Sequence, residues 1–253
     1  MTNAGELRRI AGIVATKVGQ EMVERRAAGF SWETKSTSTD VVTEIDTWSE
    51  QVIVNAITEA RPDDGFLGEE GTNKVGTSGV QWVIDPVDGT TNLLYDLVGY
   101  SVSIGAEVDG NAIAGAVYDP LRGELYSAAI GEGATRNDQP ISVSAQTNLA
   151  HSLIATGFAY GASRRKEQAA SLVEILPSVR DIRRLGGAAL DLCNVASGRV
   201  DAYYELDLKP WDSSAGALIA SEAGAVVTLG EMTIASAPGI VSELTALLDR
   251  SVF

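Results

Sequence analysis

Apolar residues recur at three- and four-residue steps from Leu7 through Ile10, Val14, Val18 and Met22, the stripe of an amphipathic helix. Gly29 and the polar residues after it end that helix, and residues 35–40 read as a loop of small polar side chains. Ile45, Trp48, Val52, Ala56 and Ala60 predict a second helix, which Pro62 stops. A turn at Asp63-Asp64-Gly65 and a brief apolar entry lead into Gly68-Glu69-Glu70, and residues 71–79 read as a mobile surface loop. Residues 80–84 read as a buried strand that runs into Asp85-Pro86, where the proline is expected to end it. Residues 101–141 predict a meander of short strands punctuated by Asp109-Gly110, Asp119-Pro120 and Asn137-Asp138.

The second half alternates differently. A strand at 153–156 precedes a helix around 166–176, and a strand before Gly186 precedes a helix over 188–196. A strand at 201–205, a helix at 213–223, a strand at 225–229 and a closing helix at 241–248 follow. The pattern therefore predicts an α+β half over residues 1–145 and an α/β half over 146–253, joined as one unit. No internal repeat or low-complexity tract interrupts it.

Composition removes several function classes. A chain of 253 residues with 45% apolar and 21% charged residues is that of a folded domain. No apolar run approaches the roughly 20 residues needed to cross a bilayer, and Glu6, Arg8, Arg9 and Lys17 break any signal-peptide pattern. The expectation is a cytoplasmic protein without a membrane partner. The single cysteine, Cys193, excludes an internal disulfide, and the single histidine, His151, excludes sites built from several histidines. The net charge of −15 opposes binding to nucleic-acid phosphates.

Where the acids fall is more informative than their number. In Trp82-Val-Ile-Asp-Pro-Val-Asp-Gly-Thr-Thr-Asn92, Asp85 and Asp88 stand three residues apart at a strand end. Two carboxylates sharing a cleft are costly unless a cation lies between them. The small residues from Gly89 to Asn92 can turn backbone N–H groups toward an anion. A tight turn with an aspartate cap is the bland alternative. Glu69 by itself reads as surface, Asp46 as a solvated helical charge, and Asp212, before an apolar helix, as an N-cap.

Taken together, these segments resemble the inositol monophosphatase family. The resemblance rests on Asp85-Pro86-Val87-Asp88-Gly89-Thr90-Thr91-Asn92, on Trp211-Asp212-Ser213-Ser214-Ala215-Gly216 followed by Glu222-Ala223-Gly224, and on Gly68-Glu69-Glu70. Lys35, Asp40, Thr43 and Asp46 complete it. It covers nearly the whole chain. It implies an α/β (α+β) fold, the five-layer αβαβα sandwich of the inositol monophosphatase and fructose-1,6-bisphosphatase type. The implied activity is Mg²⁺-dependent hydrolysis of a phosphate monoester, inositol-1-phosphate first among candidates.

The resemblance also assigns roles. Glu69, Asp85 and the Val87 carbonyl would hold one Mg²⁺, and Asp85, Asp88 and Asp212 a second, with a weaker third beside Glu69. Thr90 and Asp46, with Glu69, would serve catalysis by directing the attacking water. The substrate would lie among Asp88, Gly89, Thr90, Gly186, Gly187, Ala188, Glu205 and Asp212. The resemblance further implies lithium sensitivity and a homodimer. Fructose-1,6-bisphosphatase, a broad sugar-phosphate phosphatase and a regulatory binding partner with the same fold are the alternatives. Leu93, Leu94, Val98 and Ala225 depart from the usual family pattern, as does a shorter segment after Leu229.

Overall fold

Asn3 caps a 25-residue helix, α1 (Ala4–Ala28), through its side chain on the Glu6 N–H. The computed structural model describes residues 3–251 apart from Ser36 and Ser38, so part of the expected 35–40 loop lies outside the described residues. After α1 come β1 (Trp32–Thr34), β2 (Val41–Thr43), α2 (Glu44–Ala60), β3 (Gly65–Gly68), β4 (Asn73–Lys74), β5 (Val80–Asp88) and α3 (Thr90–Leu94). The expected meander is β6 (Ser101–Val108), β7 (Asn111–Asp119), β8 (Glu124–Ala129), β9 (Ala134–Arg136) and β10 (Gln139–Pro140). The second half contains β11 (Leu153–Thr156), α4 (Ala162–Ile175), β12 (Asp181–Arg183), α5 (Ala188–Ala196), β13 (Ala202–Leu206) and α6 (Pro210–Glu222). It ends with β14 (Val226–Thr228), β15 (Met232–Ser236) and α7 (Val241–Leu248).

Two sheets organise most of these elements, while β1 and β2 pair separately as a two-stranded antiparallel ribbon. The larger has eight strands in the order β10-β9-β8-β7-β6-β5-β3-β4, and the smaller has five in the order β12-β11-β13-β15-β14. The apolar stripe of α1 (Leu7, Val14, Val18, Met22) and that of α2 (Ile45, Ile53, Ile57) bury against one face of the larger sheet around Trp82, Ile84 and Ile104. Helices α5 and α6 lie between the sheets, where Leu192, Cys193 and Ile219 meet Val117 and Tyr126 on one side and Tyr203 and Ala235 on the other. Ile175 of α4 and Leu244 and Leu247 of α7 cover the outer face of the smaller sheet. Each sheet buries both faces, which yields the αβαβα layering. Among the described residues no helix is long and apolar enough to cross a membrane.

Four expectations need correction. Strand β5 does not stop before Pro86 but continues to Asp88. Its pairing with β6 slips there: Asp85 faces Ser103 and Asp88 faces Ser101, three steps against two. The proline sits in this bulge, where no ladder N–H is required of it. Part of the expected 71–79 loop is strand β4, paired with β3 through Phe66–Lys74 and Leu67–Asn73. Helix α6 starts at Pro210 rather than 213, because proline is pre-set for the first helical turn. Strand β15, which nothing in the local pattern announced, pairs with both β13 and β14. Its partner β13 lies a helix and a strand earlier, so its pairing is a tertiary fact.

Candidate active site

The bulge in β5 decides the geometry of the two motif aspartates. Residues three apart on a regular strand point to opposite faces, but the extra residue brings Asp85 and Asp88 to one cleft. Asp85 is 2% exposed, and its Oδ1 accepts the Val87 N–H at 3.1 Å. Gly89 follows at φ 90°, where a Cβ would meet the Gly99 carbonyl at 2.6 Å, so only glycine makes this turn. The turn opens α3 with Thr90. The Thr90 Oγ1 lies 3.0 Å from both Asp46 Oδ1 and the Val87 carbonyl, so its single proton has two acceptors.

Asp46 is not a solvated charge: it is fully buried on α2. It occupies the third position of that helix, where Oδ2 accepts the Thr43 N–H at 2.9 Å in a capping box. Burial raises the Asp46 carboxyl above the usual carboxylate range, against the bonds from Thr43 and Thr90.

Glu69 follows β3, and its N–H donates to the Ile84 carbonyl at 3.1 Å. Lys35 spans Glu69 at 3.0 Å and Glu70 at 2.5 Å. Burial opposes the charge on Lys35, yet the two carboxylates raise its pKa. Burial likewise pushes Glu70 up to about 7, against its bond to Lys35. The Glu50 carboxylate, 4% exposed on α2, pins this segment by accepting the N–H groups of Glu70 at 2.8 Å and Thr72 at 2.9 Å.

From the second half, α5 aims its start at Asp88. The Ala188 N–H donates to Asp88 Oδ1 at 3.0 Å and the Ala189 N–H to Oδ2 at 2.9 Å. Asp212 is the third residue of α6, not its N-cap, and its Oδ2 accepts the Lys209 N–H at 2.6 Å. Glu205 stands at the end of β13, with Oε2 accepting the Tyr203 hydroxyl at 2.6 Å. Glu69, Asp85, Val87, Asp88, Gly89, Thr90, Gly186, Gly187, Ala188, Glu205 and Asp212 all line one open cleft of about 400 Å³. Asp46 lies beneath that cleft and reaches it through Thr90. His151 is exposed and is not among the lining residues.

The electrostatics of the cleft are those of crowded carboxylates. Burial, then Glu69, Asp88 and Asp212, lift Asp85 well above its ordinary value. Burial and Asp212 push Asp88 up to about 8. Burial first, and Glu69 and Glu205 after it, push Asp212 up to about 7. Burial raises Glu205 too, against the Tyr203 bond and the Arg184 charge. Among the described residues no three acidic, histidine or cysteine side chains already form a closed ligand group. A hard divalent cation does not require one. It takes oxygen ligands, keeps several waters and completes its shell with substrate oxygens. The donor set fits such an ion: it is all oxygen, anionic and self-repelling.

Two contributors escaped the sequence reading. Glu50 lies one helical turn after Asp46 on the buried face of α2, so its spacing carried a signal. Asp191 is a carboxyl inside the apolar helix α5, 2% exposed, with Oδ1 lacking any hydrogen-bond partner. An acid within Ala188-Ala-Leu-Asp-Leu-Cys193 was visible as an anomaly.

A two-sheet αβαβα sandwich with a carboxylate-lined cleft at the end of a bulged central strand defines the class of protein. The chain belongs to the inositol monophosphatase family, whose model matches residues 4–248. It is 43% identical to an inositol-1-monophosphatase of Mycobacterium leprae, over 97% of this chain and 94% of the relative. It is also 44% identical to Nus factor SuhB of Pasteurella multocida, over 83% of this chain and 82% of the relative. Among solved structures it resembles Mycobacterium tuberculosis SuhB at TM-score 0.88 and 42% identity, covering 99% of this chain and 98% of that one.

Proposed function

We propose that this chain hydrolyses phosphate monoesters of polyols, with inositol-1-phosphate as substrate and Mg²⁺ as cofactor. The observation that carries the reading is the convergence of Glu69, Asp85, Asp88 and Asp212 on one cleft beside the Thr90–Asp46 pair. Those four carboxylates and the Val87 carbonyl would hold the ions. Bound there, Mg²⁺ would polarise the phosphoryl oxygens and acidify the attacking water.

The chain's own groups do the rest. Thr90 Oγ1 takes the proton the attacking water gives up and passes its own hydroxyl proton to Asp46, which burial makes a better acceptor than an ordinary carboxylate. The Gly89 turn presents backbone N–H groups to the phosphoryl oxygens. Glu205, held by the Tyr203 hydroxyl, accepts hydrogen bonds from ring hydroxyls. Since Asp212 and Glu205 come from residues 146–253 and the other acids from 1–145, the two halves act as one catalytic unit.

The same reading includes a cytoplasmic homodimer, for which exposed Tyr95, Leu97, Val98 and Leu185 supply apolar surface. It also includes lithium inhibition, which LiCl against KCl at equal ionic strength checks. The decisive experiment compares kcat/KM for inositol-1-phosphate, fructose 1,6-bisphosphate and an aryl phosphate, with Mg²⁺ and with EDTA. Preference for the inositol ester, lost in EDTA, is the expected result. Preference for the bisphosphate would move the assignment to that sugar ester. No hydrolysis of any ester would leave the regulatory role suggested by the relatives named Nus factor.

A further inference from the structure

The polyol end of the cleft is built around a contact between two residues of one strand. Tyr203 and Glu205 are two apart on β13, so both face the α5–α6 layer. The Tyr203 ring is fully buried in that core, which fixes its hydroxyl in space. The hydroxyl donates to Glu205 Oε2 at 2.6 Å. From the other side the backbone of Gly157 closes on the same carboxylate, and a Cβ at Gly157 would overlap it. Glu205 Oε1 takes no hydrogen bond among the described residues, although Glu205 and Gly157 both line the cleft. A glutamate side chain otherwise samples many rotamers and loses more freedom than most when ordered. Here one oxygen is tied down and the other is left as an acceptor at a set position.

We propose that Tyr203 is a positioning residue that, with Gly157, holds Glu205 as the reader of hydroxyl groups on the leaving alcohol, and so sets selectivity for polyol phosphates over phosphates lacking hydroxyls. The inference rests on the proposed phosphatase reading. It adds that selectivity is decided behind the cleft wall, by a residue that never touches substrate. Removing the tether leaves Glu205 its charge but not its place, so the penalty falls only on substrates that use the acceptor.

The test compares two esters across four variants: Tyr203→Phe, Gly157→Ala, Glu205→Ala and the double variant Tyr203→Phe/Glu205→Ala. Inositol-1-phosphate presents ring hydroxyls, and p-nitrophenyl phosphate presents none. Tyr203→Phe is expected to raise KM for the inositol ester about tenfold, the scale of a lost bond to a charged group, with kcat little changed. On p-nitrophenyl phosphate its kcat/KM should stay within about twofold of wild type, because that ester does not use the acceptor. Gly157→Ala should show the same split by displacing the carboxylate, and it keeps the proposal testable if Tyr203→Phe folds poorly. In the Glu205→Ala background, Tyr203→Phe should cost nothing further, because the two act as one unit. Equal losses on both esters would mark Tyr203 as generally structural and overturn the proposal, as would additive losses in the double variant. A wild type that hydrolyses neither ester would overturn the phosphatase reading itself and this inference with it. Only variants of an active wild type separate the two failures.

Discussion

Thr90 Oγ1 stands 3.0 Å from Asp46 Oδ1, a contact between residues 44 positions apart. It joins the first turn after the bulged strand to the first turn of α2, and both partners are buried. Asp46 therefore holds two posts. One oxygen caps its own helix through Thr43, and the other faces the hydroxyl that borders the cleft. Fixing one oxygen by the cap aims the other.

Asp46→Asn separates these posts. The amide oxygen can still accept the Thr43 N–H, so the melting temperature should fall by only a few degrees. Proton acceptance is lost, and kcat should drop by about 10²–10⁴ with KM nearly constant. A KM-dominated loss would place Asp46 in substrate binding instead.

Asp85→Asn should lower kcat by at least about 10³-fold, since this carboxylate is common to both proposed ion positions. The metal-free protein should be at least as stable as wild type near pH 8, because the amide replaces a buried acid whose charged form burial and the neighbouring carboxylates disfavour. Thermal melts with and without Mg²⁺ read both effects. An Mg²⁺-induced stabilisation equal to that of wild type would remove Asp85 from the ion site.

Asp212→Asn asks whether the residue is structural or functional. Its Oδ2 accepts the Lys209 N–H, and an Asn oxygen can do the same. A metal-free melting temperature within about 2 °C of wild type, together with near-complete loss of turnover, is the expected pair. Retained turnover would leave Asp212 as a helix cap alone.

Asp191 supplies a pH dependence centred on a carboxyl that is not itself a proposed ion ligand. Burial, then the charges of Asp88 and Glu205, raise its pKa well above the ordinary carboxylate value near 4. A raised acid binds more protons folded than unfolded, so its contribution is full below about pH 4 and lost as pH rises toward the folded pKa. Asp191→Asn removes that loss. The melting temperature of the variant minus that of wild type should therefore grow between pH 5 and pH 8. A difference flat across that range would mean that Asp191 does not titrate anomalously.

Much of this site was legible from the chain alone, because its chemistry resides in residue types that a solvated surface would not choose in that order. Asp85, Asp88 and Gly89 sit within five consecutive residues, and that cluster alone marked a carboxylate site. Glu69, Asp46 and Asp212 read locally as surface, solvated charge and N-cap, and joined it only through the resemblance to the inositol monophosphatase family. Helical periodicity announced α1, α2, α5 and α7, whose apolar stripes are local and regular. What local pattern could not decide was direction and partnership. Alternation along a strand puts Asp85 and Asp88 on opposite faces, and only the slip against Ser101 and Ser103 on β6 brings them together. The pairing of β15 with β13, the grip of Tyr203 on Glu205, and the burial of Glu50 and Asp191 arise in the same way. Periodicity records which residues share a face of one element, whereas burial and hydrogen-bond partners depend on what another element, often a hundred residues away, packs against that face.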